Sequence, residues 1–331
     1  MKKLIIQIPC YNEEETLGTA LSSLPRKVEG FEKVEWLVVD DGSSDKTVEV
    51  AKSHGVDHMV SHPKNQGLAV AFMSGLGASI RAGANVIVNT DADNQYCADD
   101  IPKLVSPILK GKADIVIGAR PIDDIEHFSP LKKLLQKLGS WVIRKVSKTN
   151  IPDAPSGFRA ISRDAAMRLN VFSSYTYTLE TIIQAGQKNI AITYVPIHTN
   201  PDLRPSRLVK NIPRYILNSV LTMGRIFVTY RPLLFFYSIG LFILFAGALI
   251  GIRFLMFYLS GEGGGHIQSL ILAALLIGMG FQVIILGVVA DLIAVNRKLL
   301  EKIDWHTQRI EVRSSTERKD SSPGRNRDGF Q

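Results

Sequence analysis

Two long apolar stretches close together near the C-terminus, residues 233–259 and 267–295, constrain this chain more than any other feature. An α-helix rises about 1.5 Å per residue and a bilayer's hydrocarbon core is about 30 Å thick, so roughly 20 apolar residues are enough to cross it. Both stretches exceed that length. Residues 267–290 carry no charge, while the first stretch carries one, Arg253, near its distal end, where a long side chain reaches the headgroups. Asp291 stands at the closing end of the second stretch. The connector 260–266, SGEGGGH, is too short to hold a domain, so the pair reads as a tight transmembrane hairpin. The alternative is two buried core helices, but core helices of such length usually keep a polar stripe.

Flanking charge sets the expected orientation. Arg225 and Arg231 precede the hairpin, Arg297, Lys298 and Lys302 follow it, and the connector holds only Glu262. The positive-inside rule then puts both termini in the cytoplasm. The first residues, MKKLIIQIPCYNEEE, have an apolar run too short for a signal peptide. About 230 residues precede the hairpin, enough for one enzyme-sized core. The two cysteines, Cys10 and Cys97, lack metal-type spacing and read as free thiols in a reducing compartment. The net charge of +8 is concentrated beside the membrane: residues 203–231 contain six basic side chains and no acid. A basic segment at that place fits an anionic membrane surface, whereas nucleic-acid binding has neither an aromatic-basic surface nor a motif to support it.

The region before the hairpin alternates strands with helices. Strands are expected over 3–8, 34–39, 56–60, 85–89 and 114–118, with the first stopping at Pro9. Helices are expected over 14–24, from 45 to 54, from about 67 to 82, and over 98–110. That alternation predicts an α/β fold with a mainly parallel sheet, which binds ligands beyond the carboxyl ends of its strands. The informative polar residues fall there: Tyr11, Asn12 and Glu13, then Asp40 and Asp41, then Asp91 and Asp93, then Arg120. Farther along, 129–147 reads as a basic amphipathic helix, 153–159 as a turn into a strand, 177–187 as a helix and 190–197 as a strand. The tail after Arg313 has no apolar period and reads as disordered.

Asp91, Asp93 and Gln95 put two carboxylates and an amide oxygen at alternate positions after a buried strand. Hard divalent cations take such oxygen ligands, and a cation there bridges a diphosphate. An acidic turn capping the helix at 98 would look the same, as would a turn and N-cap at Asp40 and Asp41; carboxylates at that second place also accept hydrogen bonds from ribose or base. No Gly-x-Gly-x-x-Gly follows the first strand and no Gly-Lys-Ser/Thr loop is present, which argues against dinucleotide and ATPase folds.

The ordered set Pro9-x-Tyr11-Asn12-Glu13, Val38-Val39-Asp40-Asp41-Gly42-Ser43-x-Asp45, Asn65-x-Gly67, Asp91-x-Asp93 and Ser156-Gly157-Phe158-Arg159 resembles the family-2 glycosyltransferases over roughly the first 200 residues. With the hairpin, the whole chain resembles their polyprenyl-phosphate branch. The resemblance implies a GT-A nucleotide-sugar-binding fold, interfacial helices, and then the two-helix hairpin. It implies a nucleotide sugar, UDP- or GDP-linked, held by Pro9, Tyr11, Glu13, Asp40, Asp41, Asp91 and Arg120. It implies Mg²⁺ or Mn²⁺ on Asp91, Asp93 and Gln95, and a catalytic set of Asp93, Asp153 and Arg159, with Arg120 and Arg159 meeting phosphates. The Gln-x-x-Arg-Trp motif of processive relatives is absent.

The expected layout is a cytoplasmic catalytic domain over 1–200, a basic interfacial segment over 201–231, transmembrane helices within 232–296, and a largely disordered tail over 297–331. Arg204, Ser206 and Arg207, with Lys210 beside them, lie where a lipid phosphate presents its anion, and arginine offers planar forked donors for it. The same cations also attract anionic headgroups in general. A phosphate monoester is mostly dianionic at neutral pH, so it needs no strong base. Asp153 is accordingly expected to orient the sugar or a loop. Transfer to another lipid acceptor and a non-catalytic membrane scaffold are the competing readings. Glycines at 240, 247, 251, 278, 280 and 287 allow close helix packing within a chain or in a homo-oligomer.

Overall fold

The computed structural model describes residues 2–121, 140–141, 143–144, 147, 149–171, 177–201, 224–225, 228–261 and 263–320. The chain divides into two compact units, one made of Met1–Ile216 with Asp304–Gln331 and the other of Leu217–Ile303.

In the first unit the strands are β1 (Lys3–Cys10), β2 (Lys33–Asp40), β3 (His58–Ser61), β4 (Val86–Asn89), β5 (Ile115–Ala119), β6 (Arg159–Ser162) and β7 (Ile192–Pro196). They form one sheet in the order β3-β2-β1-β4-β6-β5-β7. Every pairing is parallel except those of β6, which runs antiparallel between β4 and β5. β1 is buried from Leu4 to Cys10 because helices cover both faces, which is why its sequence is a continuous apolar run and not an alternating one. On one face Leu17, Leu21, Trp36, Val38, Val88, Leu104 and Phe158 form the core. On the other, α3 (Leu68–Arg81) packs so closely that a Cβ on its Gly75 would meet Gln7 Oε1 at 2.6 Å.

β1 passes through Pro9 instead of stopping before it. The odd residues of β1 bond toward β4, as in Asn85 N–H to Lys3 O (2.8 Å) and Thr90 N–H to Gln7 O (3.1 Å). The even residues bond toward β2, as in Asp41 N–H to Cys10 O at 2.8 Å. The N–H that Pro9 lacks would point to the β4 side, where β4 has already ended opposite Gln7. The next helix, α1 (Leu17–Ser23), starts three residues later than expected. The backbone N–H groups of Asn12, Glu13 and Glu14 are held by side chains of Ser43, Thr47 and Asp45, which keeps that segment out of the helix. The unit also contains α2 (Thr47–Ser53), α4 (Ile101–Leu109), α5 (Arg163–Arg168) and α6 (Thr178–Gln187).

The second unit contains α7 (Pro232–Leu259), a short 3₁₀ turn (Gly263–His266) and the start of α8 (Ile267–Asp320). Among the described residues, two helices are long and apolar enough to cross a membrane. They touch at backbone distance: a Cβ on Gly240 would meet Gly280 O at 2.8 Å, and one on Gly280 would meet Gly240 O at the same distance. α8 does not end at Val295. Residues 296–320 contain neither glycine nor proline, so helix propensity carries the chain on to Asp320, and the expectation of disorder after Arg313 fails up to that point. Residues 321–331 and most of the expected amphipathic helix at 129–147 lie outside the described residues.

Candidate active site

The carboxyl ends of β1, β2 and β4 carry the polar residues singled out above. After β1, Tyr11 is 44% exposed and Asn12 adopts a left-handed φ of 54°. Asn12 N–H donates to Ser43 Oγ (2.9 Å) and Asn12 Oδ1 accepts from Ser44 N–H (2.9 Å), tying the ends of β1 and β2 together. Glu13 Oε2 accepts from Thr16 Oγ1 at 2.9 Å.

After β2, Asp40 and Asp41 are both buried. Asp40 Oδ1 accepts from Ser43 N–H at 3.0 Å. Asp41 is committed to its own chain. Its Oδ1 accepts from Gln66 N–H (3.0 Å) and lies 2.7 Å from His62 Nδ1, and its Oδ2 accepts from Gly67 N–H (2.8 Å). His62 Nε2 in turn sits 2.9 Å from Ser74 Oγ on α3. The carboxylate expected to hold a nucleotide thus anchors the 62–67 loop.

After β4, the loop from Thr90 to Tyr96 carries Asp91, Asp93 and Gln95. Asp91 lies against Gly157, where a Cβ would meet its two carboxylate oxygens at 2.9 and 3.0 Å. Burial first, and the Asp93 charge second, push the Asp91 carboxyl well above the usual carboxylate range, against partial relief from Arg120, Arg159 and a hydrogen bond from Tyr96. Two carboxylates crowded in this way are stabilised by a cation between them. Asp91, Asp93 and the Gln95 amide offer oxygen donors only, the ligand chemistry that suits Mg²⁺ or Mn²⁺. Among the described residues no group of three or more His, Cys, Asp or Glu side chains gathers as a candidate metal site.

Two members of the expected catalytic set are buried. Arg159, expected to meet a phosphate, is wholly enclosed: its guanidinium donates to Thr178 O (3.4 Å), Thr181 Oγ1 and Ser156 O, and lies over the Tyr177 ring. It sits beneath the site because it opens β6, whose neighbours cover both sides. Asp153, also placed in the catalytic set, is fully buried and gripped by Arg120 through Nε (2.8 Å), Nη2 (3.0 Å) and the backbone N–H (3.2 Å). Asp153 holds Arg120 at the mouth of β5, as a loop-orienting residue would. Arg204, Ser206 and Arg207 lie outside the described residues.

A buried polar layer under Asp91 was not foreseen. Gln7 Nε2 donates to Asn89 Oδ1 (2.9 Å), and Asn89 Nδ2 donates to Gly157 O (2.9 Å) and Tyr177 Oη (2.9 Å). Tyr96 Oη accepts from Gly157 N–H at 3.0 Å. Tyr177 stacks on Phe72, their centroids 3.9 Å apart. The available signal was a glutamine and an asparagine inside otherwise apolar strands, since buried amides persist only with partners.

The glycosyl transferase family 2 model matches residues 5–169. An uncharacterized protein of Methanocaldococcus jannaschii is 34% identical over 202 residues, covering 60% of this chain and 81% of that one. The UDP-N-acetylglucosamine–dolichyl-phosphate N-acetylglucosaminyltransferase of Methanococcus voltae is 29% identical, covering 60% of this chain and 86% of that one. Among solved structures, the glucosyl-3-phosphoglycerate synthase of Mycobacterium tuberculosis, in complex with Mn²⁺, UDP and its product, superposes with a TM-score of 0.52 at 20% identity, covering 67% of this chain and 80% of that one. That likeness shows the same GT-A fold.

Proposed function

The chain belongs to glycosyl transferase family 2, and from that premise we propose that it moves a single sugar from a nucleotide sugar to a polyprenyl phosphate at the cytoplasmic face of a membrane, inverting the anomeric centre. The observation that carries the proposal is a carboxylate pair at the end of β4 in a chain that also holds two membrane-length helices. A soluble donor and a lipid acceptor need both. The Methanococcus voltae relative is named for a UDP-linked donor and dolichyl phosphate, which favours a UDP-linked donor here, and the mycobacterial neighbour was solved with Mn²⁺ and UDP, which favours a divalent cation.

In this reading the exposed Tyr11, with Pro9, Glu13 and Asp40, receives the nucleotide, and Asp41 acts through the loop it anchors. Asp91, Asp93 and Gln95 hold the cation, which when bound neutralises charge on the departing nucleoside diphosphate. Arg120, aimed by Asp153, contributes positive charge at the same mouth. Arg204, Ser206 and Arg207 receive the acceptor phosphate from the interfacial segment 201–231. A dianionic phosphate oxygen attacks the anomeric carbon without a strong base, which agrees with an Asp153 carboxylate already occupied by Arg120.

The test uses purified full-length protein, Mg²⁺ or Mn²⁺, undecaprenyl phosphate, and UDP- and GDP-sugars singly, reading nucleotide release and lipid mass. Release that requires lipid phosphate and metal, with one hexose added to the lipid, is the expected result. No release from any donor despite nucleotide binding would refute the proposal and favour another acceptor or a scaffold.

A further inference from the structure

The loop that carries Asp93 and Gln95 is not held by its own neighbours alone. Asn200, more than a hundred residues later in the chain, bonds three successive carbonyls of that loop. Its side-chain Nδ2 donates to Asn94 O (2.9 Å) and Tyr96 O (3.3 Å), and its backbone N–H donates to Gln95 O (2.9 Å). Thr199 pairs with Tyr96 as an antiparallel bridge, and Cys97 N–H donates to His198 O at 3.4 Å. His198 is itself tethered, its N–H donating to the buried Asp100 Oδ2 at 2.6 Å. This clamp matters because the loop is conformationally demanding. Asn94 takes φ of 58°, a left-handed conformation uncommon outside glycine that asparagine adopts more readily than other side chains. The peptide planes on both sides of Gln95 are therefore set from outside the loop.

We propose that Asn200 is a positioning residue for the cation site: by fixing the carbonyls of Asn94, Gln95 and Tyr96, it sets where Gln95 and Asp93 project their oxygens. The inference rests on the proposed function, which assigns Asp91, Asp93 and Gln95 to a cation. It adds a residue outside the motifs, and it places that residue one step before the 201–231 segment assigned to the acceptor. Donor-side ligands and acceptor-side chain then share one short stretch of backbone.

Outer partners that orient metal ligands typically change metal affinity about 10–100-fold when removed. Asn200→Ala keeps the backbone N–H bond and deletes both side-chain bonds, and Asn200→Ser restores one short donor. The experiment is Mn²⁺ binding to the purified full-length protein in detergent, read from the free Mn²⁺ paramagnetic resonance signal with UDP present. Turnover is measured in parallel across a Mn²⁺ series. The expected result is a Mn²⁺ dissociation constant raised about tenfold in Asn200→Ala, less in Asn200→Ser, with turnover recovering at saturating Mn²⁺. A merely structural role would lower turnover at every Mn²⁺ concentration together with the melting temperature. That pattern, or a Mn²⁺ affinity within twofold of the parent in both variants, overturns the inference. Parent protein that neither binds Mn²⁺ nor transfers sugar would instead overturn the functional reading, and this inference with it.

Discussion

Gly157→Ala should disable this site by a single methyl group. Gly157 is not among the residues with positive φ, so alanine meets no backbone obstacle, and only space is at issue. The added Cβ would lie 2.9 and 3.0 Å from the two Asp91 oxygens and 3.0 Å from Tyr177 Oη, where ordinary contact begins near 3.4 Å. One of the three groups must move by about half an ångström. Tyr177 has no room, being fully buried and stacked on Phe72. The Gly157 backbone is pinned by Asn89 on its carbonyl and Tyr96 on its N–H, each within 3.0 Å. Asp91 is left to give way. Overpacking of this kind costs about 1–3 kcal/mol in stability, and misplacing a reacting-site group by a fraction of an ångström to 1 Å costs about 10–100-fold in rate. The expected result is turnover down by about that factor, a weakened Mn²⁺ affinity and a lowered melting temperature. Turnover and Mn²⁺ affinity both within twofold of the parent would refute the premise that Asp91 is a rigidly seated ligand.

Two other outcomes follow from buried carboxylates elsewhere in the fold. Glu35 is buried, which would raise its carboxyl, but hydrogen bonds from Lys33, His58 and Lys3 outweigh that and bring it down from near 4.5 to about 2. A depressed carboxylate contributes stability above its unfolded value and loses it as pH falls through the folded one. Allowing for screening of the solvent-facing Lys33, Glu35→Gln should cost about 2 kcal/mol at neutral pH, and the gap between variant and parent should close between pH 4.5 and about 2 in denaturant titrations; a gap unchanged by acid would exclude this role. Asp153→Asn breaks the fork that holds Arg120, so it should lower stability by about 3 kcal/mol and slow turnover roughly tenfold without abolishing it. Complete loss of turnover in folded protein with intact donor binding would instead make Asp153 a catalytic base.

The parallel half of the sheet was legible because each strand is an apolar run ending in polar residues, and a doubly covered sheet forces that pattern on β1, β2 and β4. The placement of Asp91 and Asp93 was legible for the same reason: two carboxylates at alternate positions directly after a buried strand fall at its carboxyl end, and β4 ends at Asn89. Arg159 was misread because its motif gives its sequence neighbours but not its depth. Whether an arginine that opens a strand faces a ligand or a core depends on which strands flank it, and β6 is flanked by β4 and β5, both from much earlier in the chain. Asn200 escaped because its partners lie a hundred residues away and its own surroundings read as an ordinary loop. The long helix beyond Val295 escaped because apolar period was the criterion, whereas an unbroken absence of glycine and proline was the operative cause.

The insertion of β6 between β4 and β5 also sets an order of events during synthesis. Ribosomes deliver the chain from its N-terminus, and β3, β2, β1 and β4 can pair as soon as Asn89 has emerged. From then on β4 is a raw edge, with its ladder groups unpaired and Asp91 poised at its rim, until the stretch through Ser162 arrives to register Asn89 against Arg159. For roughly seventy residues of translation the nascent enzyme is half a sheet with an exposed, stickable border. Nascent chains arrested before residue 159 should therefore recruit holdase chaperones and remain protease-sensitive, and chains arrested well past residue 200 should do neither.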